Sequence, residues 1–294
     1  MKKLTSILAA AAVVFGLASQ ADAQILYKVE KQGSDKTSYL LGTHHFASPS
    51  MIDSIAEMPA ILQGVDRLYG EIDMAQMNDP AVMMSMQGKL MAPADSTLDK
   101  VLAPAQLDSL SALWNEYSGG IPLNAMYMVK PAVISTQLAA AMAMKVFPEL
   151  NGIEGIDMLM QKRARELGKP VGGLETMDFQ MDMLYGRPIS EQATELMKTV
   201  SEKDDVESKS IALSKAYAAH DIDKILELML VMEADDPQAA ERMIYARNDS
   251  WVKQLAAEMP EEGIMVVVGA GHLPGDRGVI AGLRKAGFTV TPIK

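Results

Sequence analysis

Two short segments at opposite ends of this 294-residue chain close in the same way. "YLLGTHH" ends an apolar run in Gly42-Thr43-His44-His45, and "VVVGAGH" ends another in Gly269-Ala270-Gly271-His272. Each run has strand length and passes at once into a short proline-bearing loop, then into a helical stretch. Strand, loop and helix at both ends of one chain call for a sheet assembled from distant segments. The carboxyl ends of such strands are where open α/β sheets carry their sites. The glycines permit close backbone approach and unusual φ values at the exit from each strand.

The other elements fit that frame. "ILYKVEK" and "SYLLGT" are two strands joined by the turn Gln32-Gly33-Ser34-Asp35. "RLYGEIDM" (67–74), "KPVGGLET" (169–176), "GIMVVVGAGH" (263–272) and "GFTVTPIK" (287–294) are four more. Helices are expected over 49–63, 104–118, 130–147, 153–168 and 274–287. A helical block from 176 to 259 is broken near Pro188, His220 and Pro237. The apolar stretch around Lys130-Pro131 reads as a buried core helix and not as a membrane span. The expectation is an α/β fold with α+β character. Its central mixed sheet is built from amino- and carboxyl-terminal strands, flanked by helices, with a largely helical middle.

Residues 1–23 read as a secretory signal: Lys2 and Lys3, an apolar run from Leu4 to Leu17, then Ala21-Asp22-Ala23 with cleavage after Ala23. Residues 24–294 are then a single domain in the periplasm or outside the cell. With no cysteine there is no lipid anchor at the cut, no disulfide and no thiolate chemistry. The net charge is −11, and removing Lys2, Lys3 and Asp22 leaves −12. Such a surface repels nucleic acid and anionic lipid, so neither is an expected partner.

Adjacent strand residues face opposite ways, so His45, the residue matching His272, is the candidate partner, and His44 reads as a packing or edge histidine. Glu71 lies in an apolar strand between Tyr69 and Ile72, with Asp73 on the same face, and Glu175 ends "VGGLE". A carboxylate in such a place needs a partner, a metal or a proton. Arg247-Asn248 lies on a helix, and a forked guanidinium can clamp a carboxylate or carbonyl. The bland alternative is an exposed helix arginine paired with Glu241 or Asp249.

Five stretches together resemble the TraB/GumN family, whose animal relatives are the Tiki proteases. They are "YLLGTHH", "YGEIDM", "GIEGIDMLMQKRARELGKPVGGLET", "ARNDSW" and "VVVGAGHLPGDRGVIAGLRKAGFTV". The family is thought to share a fold with erythromycin esterases and a haem-binding lipoprotein group. The resemblance implies metal-dependent hydrolysis at a site made of His45, Glu71, Glu175, Arg247, Asn248 and His272, framed by Gly42, His44, Gly269 and Gly271. His45, Glu71 and His272 would hold a divalent ion, and nitrogen and oxygen donors without sulfur suit Zn²⁺, Mn²⁺ or Co²⁺. Glu175 would be the general base, with Arg247 or Asn248 stabilising an oxyanion or holding substrate. The two glutamates are exchangeable in these roles, and direct activation of water without a metal is the variant. The substrate is a peptide or small molecule. The other reading is a non-catalytic binder of haem or peptide, or a regulatory protein. Two departures from the family pattern are His44, where an aliphatic residue is usual, and Ala132, where an aromatic often follows the proline.

Methionine is abundant, at 24 residues, and crowds the segment "DMAQMNDPAVMMSMQGKLM". Thioethers can bind Cu(I), but the segment has no repeat and no accompanying histidine. Flexible side chains filling helix packing or lining an adaptable groove are the better reading.

Overall fold

The computed structural model describes residues 24–146 and 154–293; the expected signal segment lies outside them. One six-stranded mixed sheet has the order β4-β3-β5-β2-β1-β6. The hairpin of β1 (Leu26–Lys31) and β2 (Thr37–Thr43) turns through Gly33, whose φ of 89° favours glycine. β3 (Arg67–Gly70), β4 (Val171–Gly173) and β5 (Ile264–Gly269) run parallel with β2, while β6 (Phe288–Pro292) pairs antiparallel with β1. Five consecutive residues of β5, Ile264–Val268, are buried, as expected of a parallel strand covered on both faces.

The helices depart from expectation in detail. The stretch 49–63 forms two short helices, α1 (Ser50–Asp53) and α2 (Met58–Gly64), with Pro59 in the first turn of the second. Proline is tolerated there because the first N–H groups of a helix have no internal partner. In the middle lie α3 (Pro80–Leu90), α4 (Leu98–Val101), α5 (Pro104–Tyr117) and α6 (Pro131–Val146). Then α7 (Ile156–Glu166) leads into β4, and α8 (Met177–Tyr185) leaves it. α9 (Ile189–Ser201), α10 (Lys203–Ala218), α11 (Ile222–Asp235) and α12 (Pro237–Ala240) follow, broken at Pro188, His220 and Pro237 as the sequence predicts. A further break falls at Glu202, where no glycine or proline announces it. A π-helical turn, Glu241–Tyr245, opens into α13 (Ala246–Glu258). The last helix, α14 (Val279–Lys285), is shorter than expected because Gly275, at φ 83°, holds the preceding residues in a loop.

Two large apolar cores result among the described residues, with a smaller third of Ile72, Val133, Met177, Met181 and Tyr185 beside them. One wraps the sheet, with Leu40, Leu41, Leu68, Val266 and Trp251 within it. The other is helical, joining Leu98, Leu110, Trp114, Ile134, Leu138 and Leu196. α6 belongs to this second core, and no helix among the described residues is long and apolar enough to cross a membrane.

Candidate functional site at the strand tips

Four parallel strands end on one edge of the sheet. Thr43 of β2 stands opposite Gly269 of β5, and Gly70 of β3 lies opposite both Val267 and Gly173. The residues that follow these ends surround a cavity of ≈ 570 Å³, whose polar end carries His45, Glu71, Asp157, Gln180, Arg247 and His272.

Glu71 does not lie in a strand, and Asp73 does not share its face. β3 stops at Gly70 because the buried amide of Gln161 on α7 donates to the Ile72 carbonyl (2.9 Å) and accepts from the Met74 N–H (3.0 Å). Asp73 turns away to cap a 3₁₀ turn at Ala75 and to pair with Arg165. Glu71 is left facing the cavity, its Oε1 accepting from the Gly269 N–H at 2.9 Å. β4 is likewise shorter than expected, and Glu175 lies just beyond it.

Arg247 is the hub. Its Nε and Nη2 fork onto the Glu175 carboxylate at 3.0 and 2.7 Å, and Nη2 also bonds Glu71 Oε2. Its Nη1 donates to the Met243 carbonyl at 2.9 Å, inside the π-turn, and faces His272 Nε2 at 3.1 Å. All N–H groups of the guanidinium are thereby engaged. Gln180 Nε2 bridges the two carboxylates, at 3.3 Å to Glu71 and 3.0 Å to Glu175. Arg247 and Glu175 are almost wholly enclosed, whereas Glu71 retains some contact with solvent. The exposed-arginine alternative is thus replaced by a buried network. The surface pairing expected of Arg247 with Glu241 or Asp249 is made instead by Arg277.

Asn248 fixes the tautomer of His272. Its amide nitrogen donates to the carbonyls of His272 (3.3 Å) and Arg277 (2.9 Å), so its oxygen points at His272 Nδ1, 2.7 Å away, and accepts. His272 therefore carries its proton on Nδ1, and the Nε2 lone pair faces Arg247 and Glu71. Burial lowers the His272 pKa to about 4, with the Arg247 charge adding to the effect and Glu71 opposing it. Burial also works against ionisation of Glu71. The Arg247 charge, with the bonds from Gly269 and Arg247, outweighs it and holds the carboxyl below its usual range. Trp251, one turn beyond Arg247, lies against both: its ring centre is 4.7 Å from the guanidinium carbon and 4.5 Å from the imidazole centre, the two rings tilted at 44°.

The two histidines of the first motif part company. His44 turns from the cavity, bonds Ser214 at 2.8 Å and packs edge-on against Tyr217 at 5.5 Å, both on α10; burial pushes its pKa down to about 4. His45 stands on the cavity rim, its side chain 77% exposed, 3.6 Å from Asp157 at the start of α7. Asp157 raises the His45 pKa and is itself held by the Thr43 hydroxyl at 2.9 Å. The glycines serve close approach alone, since neither Gly42, Gly269 nor Gly271 has positive φ. A Cβ on Gly42 would lie 2.9 Å from Leu273, and one on Gly271 2.9 Å from Met229.

The expected ligand set does not assemble. Glu71 Oε1 and His272 Nε2 lie 3.8 Å apart, but His45 pairs with Asp157 instead of joining them. No group of three or more His, Asp or Glu side chains among the described residues is arranged to hold a metal ion. The guanidinium of Arg247 takes the place between the carboxylates and the imidazole that a cation would require, so these side chains as arranged do not fit a metal. Arg247 and Asn248, expected to touch substrate, instead spend their donors on the site itself. Gln161, Gln180 and Asp157 were not singled out from the sequence. Asp157, Gln161 and Trp251 lay within recognised motifs, and the four-residue spacing from Arg247 places Trp251 on the same helix face.

The fold and site define an α/β protein whose strand tips converge on a buried carboxylate–arginine–imidazole network. The profile of the TraB/PrgY/gumN family matches residues 25–292, and the chain belongs to that family. Among similar proteins, Metalloprotease TIKI1 of Homo sapiens is 22% identical over 305 residues, covering 87% of this chain and 60% of the relative. Metalloprotease TIKI1 of Xenopus tropicalis is also 22% identical, over 87% of this chain and 59% of its own length. The chain thus spans about 60% of the length of the curated relatives it matches. No solved structure gives a significant match.

Proposed function

We propose that the cavity is the active site of a hydrolase that cleaves peptide bonds in a secreted or periplasmic setting. One observation carries the reading: Glu71 and His272, just beyond the ends of β3 and β5, stand together at the cavity wall with Oε1 and Nε2 3.8 Å apart. A water lying against Glu71 Oε1 has one acceptor for its proton, and His272 Nε2 offers a second once the bond from Arg247 Nη1 is given up. Arg247 and Glu175 hold those acceptors in place, and Asn248 keeps the lone pair on Nε2. His45, with Asp157 behind it, faces them across the cavity as a proton donor to the leaving amine.

The similar proteins are named metalloproteases, and a divalent ion, Mn²⁺, Co²⁺ or Zn²⁺, is the cofactor that name implies. The geometry gives no ligand set for it, so no step here is assigned to a metal. The test is cleavage of unstructured peptides by purified protein with Mn²⁺, Co²⁺, Zn²⁺ or EDTA. Cleavage is expected, with a loss of at least about 10³-fold in His272→Ala and Glu71→Gln. Cleavage that survives either change removes the mechanism.

A binding role for haem or peptide is the second reading, favoured by the fully satisfied donors of Arg247 and Asn248. A Soret band in the purified protein without peptide cleavage would select haem.

A further inference from the structure

Besides its polar groups, the cavity is lined largely by thioethers. Eight methionines line it, among them Met77, Met86, Met177 and Met181. A second recess of ≈ 290 Å³ shares Met86, Met177 and Met181 with the first, so the two form one groove running between α3 and α8. No Phe, Tyr or Trp lines either space. The groove therefore has no flat ring surface on which a planar ligand would stack. Among its polar groups the cations are already engaged, Arg247 by Glu71 and Glu175 and His45 by Asp157. That balance opposes a ligand bearing carboxylates. What remains is a largely apolar, deformable surface, with Asp178 of the second recess paired to Lys89. Methionine is unbranched, and its three rotatable bonds let the wall follow ligands of different shape.

We infer that this thioether wall sets substrate selection: the ligand is an extended peptide whose bulky apolar side chain lodges at Met86, Met177 and Met181, beside the reacting end. Leucine, isoleucine, methionine and phenylalanine are accepted interchangeably, and acidic residues are rejected. The inference rests on the reading of the cavity as a peptide site but not on catalysis.

A peptide panel varying one residue at a time tests it, in two forms: cleavable, and N-methylated at the scissile bond to measure binding alone. Apolar variants are expected to lie within about fivefold of one another and at least about tenfold above serine or aspartate. Met86→Glu, at a half-buried position, should weaken apolar peptides roughly 100-fold through KM, whereas Met86→Leu should stay near wild type. Bound apolar peptide should also shield Met77 and Met86 of the wild-type protein from peroxide oxidation, a readout that needs no variant to fold. Equal binding of polar and apolar peptides, or oxidation of Met86 unaffected by peptide, overturns the inference even if cleavage occurs. Selective binding without cleavage upholds it and instead ends the hydrolase proposal.

Discussion

The tips of β2 and β5 carry the same four-residue motif and neighbour each other in the sheet, yet their histidines have opposite surroundings. His272 is 4% exposed, held on Nδ1 by Asn248 and packed against Trp251. His45 projects from the rim and leans on a single carboxylate. The register supplies part of the cause. Gly42 pairs with Val268 and not with Gly269, so the motifs are offset by one residue across the sheet. The remainder is what covers each tip. α13 closes over β5 with Arg247, Asn248 and Trp251. At β2, α10 takes His44 into its packing and α7 offers only Asp157. A motif thus delivers a histidine to the sheet edge, and the helix above decides its chemistry.

The largest expected effect that separates the two regions is at the β5 side. Arg247→Ala leaves Glu71 and Glu175 buried without their cation, and should cost about 3–5 kcal/mol in chemical denaturation. A variant as stable as wild type would show that the network contributes little. Next is acid sensitivity. His272 titrates near 4 when folded, against an ordinary 6.5, so the unfolded chain takes up its proton first. The stability it contributes is complete above pH 6.5 and is lost as pH falls toward 4, by roughly 3 kcal/mol. His44 acts in the same direction. Replacing His272 with Gln should flatten the stability profile between pH 6.5 and 4, and an unchanged slope would break the contrast. The smallest effect is at the β2 side: His45→Ala should change stability by less than about 1 kcal/mol, because its pair with Asp157 is exposed. A marked drop in Tm there would mean that the two tips are alike.

Much of this was legible in the chain itself. Apolar runs of strand length, proline and glycine breaks and the doubled G-x-x-H placed most strands and several helix ends, because burial and backbone sterics act over a few residues. The end of β3 was not legible, since it depends on the side chain of Gln161, which reaches Ile72 and Met74 from a distant helix. Nor was the separation of Glu71 from Asp73, which follows from the same amide.

The sequence by itself determined that histidines would stand at the ends of strands in a mixed sheet, with carboxylates in or at the ends of its strands. Only the tertiary structure decided that Glu71, Glu175 and His272 gather around Arg247 while His45 stays outside. The reason is physical. Strand direction and apolar pattern are local properties, but the partner of a buried charge is chosen by whichever remote element packs over it, and that choice is made only when the helices close on the sheet.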